Sequence, residues 1–146
     1  MDLHGGLTME TRVEADFADG QYVFWLPMPQ VIELERAAGA SILTIEEKLR
    51  AGIGQDKDGN IVFAGGGGAT VSEIRETIRL GLIGGNRAMV DGSEAEVGPL
   101  RAAELVRGYA YPARPLAESA ALAWRILSAA IFGVRLKKKA MESATG

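Results

Sequence analysis

The chain has 146 residues, with 16 basic against 19 acidic side chains, a single histidine and no cysteine. These numbers exclude disulfides, thiolate metal sites and a cysteine nucleophile, and a net charge of −3 gives no general basic field for holding phosphate backbones. With 47% hydrophobic and 24% charged residues, the chain is the size and composition of one globular domain and can bury a core without staples.

Met1 to Gly6 shows no basic stretch followed by an apolar run, so no signal peptide is expected, and the expected location is cytoplasmic. Residues 1–7 read as a flexible N-terminus, 8–137 as a single domain and 138–146 as a flexible tail. Met9, Thr11, Val13, Ala15 and Phe17 alternate with polar residues, the period of a strand with one wet face. Asp19-Gly20 is a preferred two-residue turn, so residues 8–26 form a hairpin in which Phe17 faces Tyr22, Ala15 faces Phe24 and Val13 faces Leu26. Val23 and Trp25 then share the outer face with Glu14 and Asp16. The apolar face must pack on something, because an isolated hairpin is marginal in water.

Residues 29–136 read mainly as helix, with loops at 53–69 and 85–98. Pro29 suits a first helical turn, Val31, Leu34 and Ala38 share a face, and Gly39 supplies the stop. Thr44 with Glu47 has the spacing of a capping box for a second helix ending near Gly52. Asp56-Lys57-Asp58-Gly59-Asn60 resembles the start of a calcium loop, but Ile61 stands where that loop needs Gly and Gly67 where it needs Glu. A polar turn, with a small hairpin around it, is the better reading. Gly65 to Gly68 lack the Gly-Lys-Ser/Thr ending of a phosphate loop and read as a linker. Thr70 with Glu73 caps the next helix, whose stripe is Val71, Ile74, Ile78 and Leu82, and Gly84-Gly85 ends it. Pro99 opens another helix towards Tyr109.

The last helix is expected from about Pro115 to Lys137. Leu116, Ala120, Ala123, Leu127, Ile131 and Val134 form its seam, and Leu122, Ile126, Ala129 and Ala130 widen it. Arg125 near its middle argues against a membrane span, at about 2.5–3.5 kcal/mol on insertion scales. Such a helix is either central to its own fold or covered by a partner. Lys137 to Lys139 complement its C-terminal dipole. His4 alone builds no triad or metal site, and no carboxylate pair stands out, so neither enzyme activity nor a cofactor is expected.

Four stretches stand out: Ile74-Arg75-Glu76-Thr77-Ile78-Arg79-Leu80-Gly81-Leu82, Pro99-Leu100-Arg101-Ala102-Ala103-Glu104-Leu105-Val106, Arg114-Pro115-Leu116-Ala117-Glu118, and Leu127 to Val134. They resemble the gene transfer agent tail-protein (tail assembly chaperone-like) family of gene transfer agents and related siphophages, and Val31 to Gly39 is similar to the family's first helix. The resemblance runs from the hairpin to about Leu136 and leaves residues 55–69 and 86–96 uncovered. It implies a non-enzymatic assembly chaperone binding tape-measure protein, tail tube protein, or both; the acidic balance and Arg125 add the expectation of no nucleic-acid or membrane partner. The alternatives are a structural subunit of the tail and a helical interaction domain of another role; self-association stays open. The expected fold is α+β, mainly α: an N-terminal hairpin on about five helices. The candidate contact residues are Val23, Trp25, Leu122, Trp124, Leu127 and Ile131.

Overall fold

A computed structural model describes residues 9–135. The expected termini 1–7 and 138–146, His4 and Lys137 to Lys139 lie outside the described residues. Strand β1 (Met9–Glu10) leads into β2 (Arg12–Phe17), which pairs antiparallel with β3 (Gly20–Trp25). The register differs from the expected one: Val13 faces Phe24, Ala15 faces Tyr22, and Phe17 faces Gly20. The turn residues are Ala18 and Asp19, with Ala18 at φ 54. Gly20 is needed in the ladder because a Cβ there would stand 2.3 Å from the Met89 carbonyl oxygen. The turn moves by one residue, which shifts partners by two and keeps every side chain on its expected face.

Two helices follow. Helix α1 (Met28–Ala38) stops at Gly39, at φ 68. Helix α2 (Ile42–Arg50) starts earlier than a Thr44 cap would allow, because Ser41 has extended backbone and its hydroxyl accepts the N–H groups of Leu43 and Thr44. Glu35 of α1 accepts the Ile42 N–H at 2.9 Å. Strands β4 (Ile53–Gln55) and β5 (Ile61–Phe63) then form the small hairpin anticipated around residues 56–60.

Helix α3 (Val71–Gly85) carries the expected capping box: Glu73 N–H donates to the Thr70 hydroxyl at 3.0 Å, and Thr70 N–H to the Glu73 carboxylate at 2.8 Å. Its last two residues are the expected Gly84 and Gly85. The chain turns at Asn86, at φ 51. Residues 85–98 are not a loop throughout, because they hold β6 (Arg87–Val90) and β7 (Ser93–Ala95) across Asp91-Gly92, whose φ values of 52 and 77 suit a two-residue hairpin turn. Strand β6 pairs with β3, giving one sheet in the order β2-β3-β6-β7.

Helix α4 (Pro99–Tyr109) precedes α5 (Leu116–Phe132). Helix α5 stops short of the expected Lys137 because Gly133, at φ 81, redirects the chain into β8 (Val134–Arg135), which pairs with β1. Val134 is therefore not on the helical seam. Five helices and a strand-rich N-terminal part make the described residues α+β, mainly α. Helix α3 packs against β3, α1, α4 and α5. Ala15, Tyr22, Phe24 and Ala88 from the sheet's inner face join Leu34, Leu49, Ile78, Leu82, Leu105, Ile126 and Leu127 in one core.

Candidate protein-contact surfaces

Alternation along the strands puts Arg12, Glu14 and Asp16 on the other face of the sheet, with Gln21, Val23 and Trp25, then Arg87 and Met89, then Glu94. All are exposed except Val23, which is buried, and Trp25, which is half-buried. The indole of Trp25 donates to the Thr11 hydroxyl at 2.9 Å and lies under the Arg12 guanidinium, 4.5 Å from the ring centre. Arg12 also meets Glu10 at 3.1 Å. A cleft of about 410 Å³ opens above Val23, lined by Glu10, Arg12, Glu14, Gly85 and Arg87.

A second hollow runs along the outer edge of β2. Phe17 forms edge contacts with Tyr22, Phe24 and Tyr109, ring centres 6.0, 5.7 and 6.2 Å apart. Phe17 and Tyr109 line adjoining cavities of about 280 and 450 Å³, with Asp16 and Glu118 in both and Leu122 in the smaller. The β2 edge is partly closed: Arg125 donates to the Glu14 carbonyl at 3.4 Å. Arg114 grips Glu118 through two bonds of 3.0 Å.

The sequence-predicted contact residues do not form one patch. Val23 and Trp25 belong to the open sheet face. Leu127 has no exposed surface and belongs to the core, which corrects its assignment as a contact residue; Val23, at 7% exposure, has little to offer a partner directly. Leu122, Trp124 and Ile131 are half-buried. Leu122 lines the edge hollow, whereas the Trp124 indole turns to α2 and donates to Glu46 at 3.1 Å. Phe17, Arg87, Met89, Glu94 and Tyr109 were missed. Asp91-Gly92 was the available signal for the three on β6 and β7.

The buried carboxylates have structural roles. Glu46 also receives Arg50 at 3.0 Å, and Glu73 receives Lys48 at 3.0 Å besides its cap bond. Glu76, with bonds of 2.9 and 2.8 Å, holds the Arg79 guanidinium more firmly protonated, helped by Glu33 of α1 at 3.2 Å. Asp56 sits below the ordinary carboxylate range because Asn60 donates to it through backbone and amide, joined by Asp58 N–H. Those bonds close the polar turn between β4 and β5. Among the described residues, no group of three or more His, Asp or Glu side chains could hold a metal, and no helix is long and apolar enough to cross a membrane.

Fold and surfaces thus define an α+β protein with a filled core, whose outstanding exposed features are an open sheet face and an edge hollow. The family model described as "Phage tail tube protein, GTA-gp10" matches residues 10–133, and the chain belongs to that family. It is a protein of phage or gene transfer agent tails. No curated protein and no solved structure matches it. The tail relationship expected from the sequence holds, but the family's description names the tube, which favours the structural alternative over the chaperone.

Proposed function

We propose that this chain is a structural subunit of a phage-like tail tube, working through contacts with other tail proteins and not through catalysis. The family match across residues 10–133 carries the reading. The open face of the β2-β3-β6-β7 sheet and the hollow beside Phe17 and Tyr109 are the surfaces suited to such contacts.

A second reading has its own support. An assembly chaperone would bind tape-measure or tube protein and leave before the tail is finished. Helices hold most of the residues in regular elements, and Arg125 with α5 obstructs the β2 edge. A subunit that joined its neighbours by running one sheet into the next would need both edges free. Mass spectrometry of purified tails from a producing strain separates the readings. The tube reading expects this chain in finished tails at a fixed ratio to the other tail proteins. Its absence there, with recovery bound to soluble tape-measure protein, would replace the first reading by the second.

A further inference from the structure

The open sheet face carries three carboxylates, Glu14, Asp16 and Glu94, against two guanidiniums, Arg12 and Arg87. Cross-strand register sets Glu14 beside Val23 and Arg87, and sets Asp16 in a row with Gln21, Met89 and Glu94. The ion pairs among the described residues engage Arg12 with Glu10 but give Glu14, Asp16 and Glu94 no cationic partner. Met89, 43% exposed, lies in the row between Asp16 and Glu94, and the half-buried Trp25 stands beyond Glu14 under the Arg12 guanidinium. The face therefore suits a segment with clustered cations next to an aliphatic side chain.

The sequence contains such a segment. Leu136-Lys137-Lys138-Lys139 follows β8 directly and holds three of the chain's 16 basic residues. Strand β8 runs antiparallel to β1, with Glu10 opposite Val134 and Met9 opposite Arg135. It thus runs along β1 from Glu10 towards Met9, away from the start of β2.

We propose that the open sheet face of one copy receives the 136–139 segment of a second copy, making a head-to-tail contact between unlike surfaces. Contacts of that type close into rings or extend into filaments. The inference rests on the tube-subunit reading, in which copies of the chain meet. A charge-led joint weakens as salt rises, because exposed charges are screened beyond about 8 Å at physiological ionic strength.

The test is light scattering and sedimentation velocity on the full chain, across concentration and salt, with three variants. One is Glu14→Lys/Asp16→Lys, the second Lys137→Glu/Lys138→Glu/Lys139→Glu, and the third combines all five changes. The expected result is salt-sensitive self-association of the unmodified chain, weakened about tenfold or more in each single-surface variant and restored in the combined variant, where the charges are exchanged. Thermal melts show that the variants fold, and the restoration separates a lost joint from a damaged protein. A mass that stays that of one chain, association indifferent to both single-surface variants, or no restoration overturns the contact. A chain found in finished tails that fails here keeps the tube reading and loses this joint. A chain absent from tails loses the tube reading whatever these variants do.

Discussion

Gly84→Ala and Gly85→Ala set helix propensity against packing, and the distances decide which wins. Alanine in place of glycine favours a helix by about 0.8–1.0 kcal/mol. A Cβ at Gly84, however, would stand 2.1 Å from the Trp25 carbonyl oxygen and 2.5 Å from Pro27 Cδ, and one at Gly85 would stand 2.0 Å from the Val23 carbonyl oxygen. Non-bonded heavy atoms settle at about 3.5–4.0 Å, so the last turn of α3 must retreat by more than ~1 Å from the backbone of β3. Overpacking costs about 1–3 kcal/mol, and an obstacle made of backbone belongs at the upper end. Subtracting the propensity gain leaves a loss of about 2 kcal/mol for either variant. Gly81→Ala is the control: the same helix, but nearest neighbours at 3.4 Å, the Ile126 side chain, which is ordinary contact. It should hold or gain up to about 1 kcal/mol. Urea and thermal unfolding by circular dichroism would read these differences, at roughly 2–4 °C per kcal/mol for a chain near this length. If Gly85→Ala proves as stable as Gly81→Ala, α3 does not lie on β3 as described, and the placement of the sheet fails with it.

Three further outcomes follow from the packing and the local chemistry. Leu127→Ala should lose about 2–5 kcal/mol in denaturant unfolding, and Ile131→Ala clearly less because Ile131 is half-buried; equal small effects would put Leu127 on the surface. Thr70→Ala removes the acceptor for Glu73 N–H and should cost about 1 kcal/mol, with a normal midpoint contradicting the capping box. The Asp56 carboxyl, followed by NMR, should titrate below its ordinary 3.8, since Asn60 and Asp58 donate to the ionised form. Its support of the β4–β5 turn is then present above the unfolded value and fades as pH falls through the lower folded one, so a midpoint at or above 3.8 would refute those bonds.

What the sequence revealed depended on whether a local pattern was strong enough to stand without tertiary contacts. The Thr70–Glu73 box was legible because both of its bonds lie within one turn. The faces of the first hairpin were legible from period two, yet its turn was not. Gly20 is glycine for the sake of Met89, a contact across 69 positions that no local rule contains. The same holds for Gly84 and Gly85, which stand at the helix stop and also serve a close approach. Ser41 competes with Thr44 for the cap of α2, and the decision falls to Glu35, which takes the Ile42 N–H from the preceding helix. Strands β6 and β7 are short, and the only fully buried side chain among their residues is Ala88, a weak β-former, so only the Asp91-Gly92 turn announced them. The contact surfaces were legible in part: Trp25 was placed on an outer face with Glu14 and Asp16, but Arg87, Met89 and Glu94, which complete that face, come from β6 and β7.

One segment read as loop also helps to explain why α5 is core. An apolar surface on several sides of one helix suggests a partner when the chain has too few layers to surround it. Here the layers are supplied from within. Helices α2 and α3 pack on α5, β2 and β3 approach from the sheet, and β5, from the segment read mainly as loop, covers another side. Ala120, Ala123 and Ala129 are buried and small, which admits these neighbours closely, while Ile126 and Leu127 fill the space between. With α5 enclosed, the places left for a tail partner lie at its margins and beyond it. The edge hollow takes Leu122 from the helix and Phe17 from β2. The sheet's outer face takes nothing from α5, and its carboxylates Glu14, Asp16 and Glu94, set among Arg12 and Arg87, make charge, more than apolar burial, the property by which it would choose what docks there.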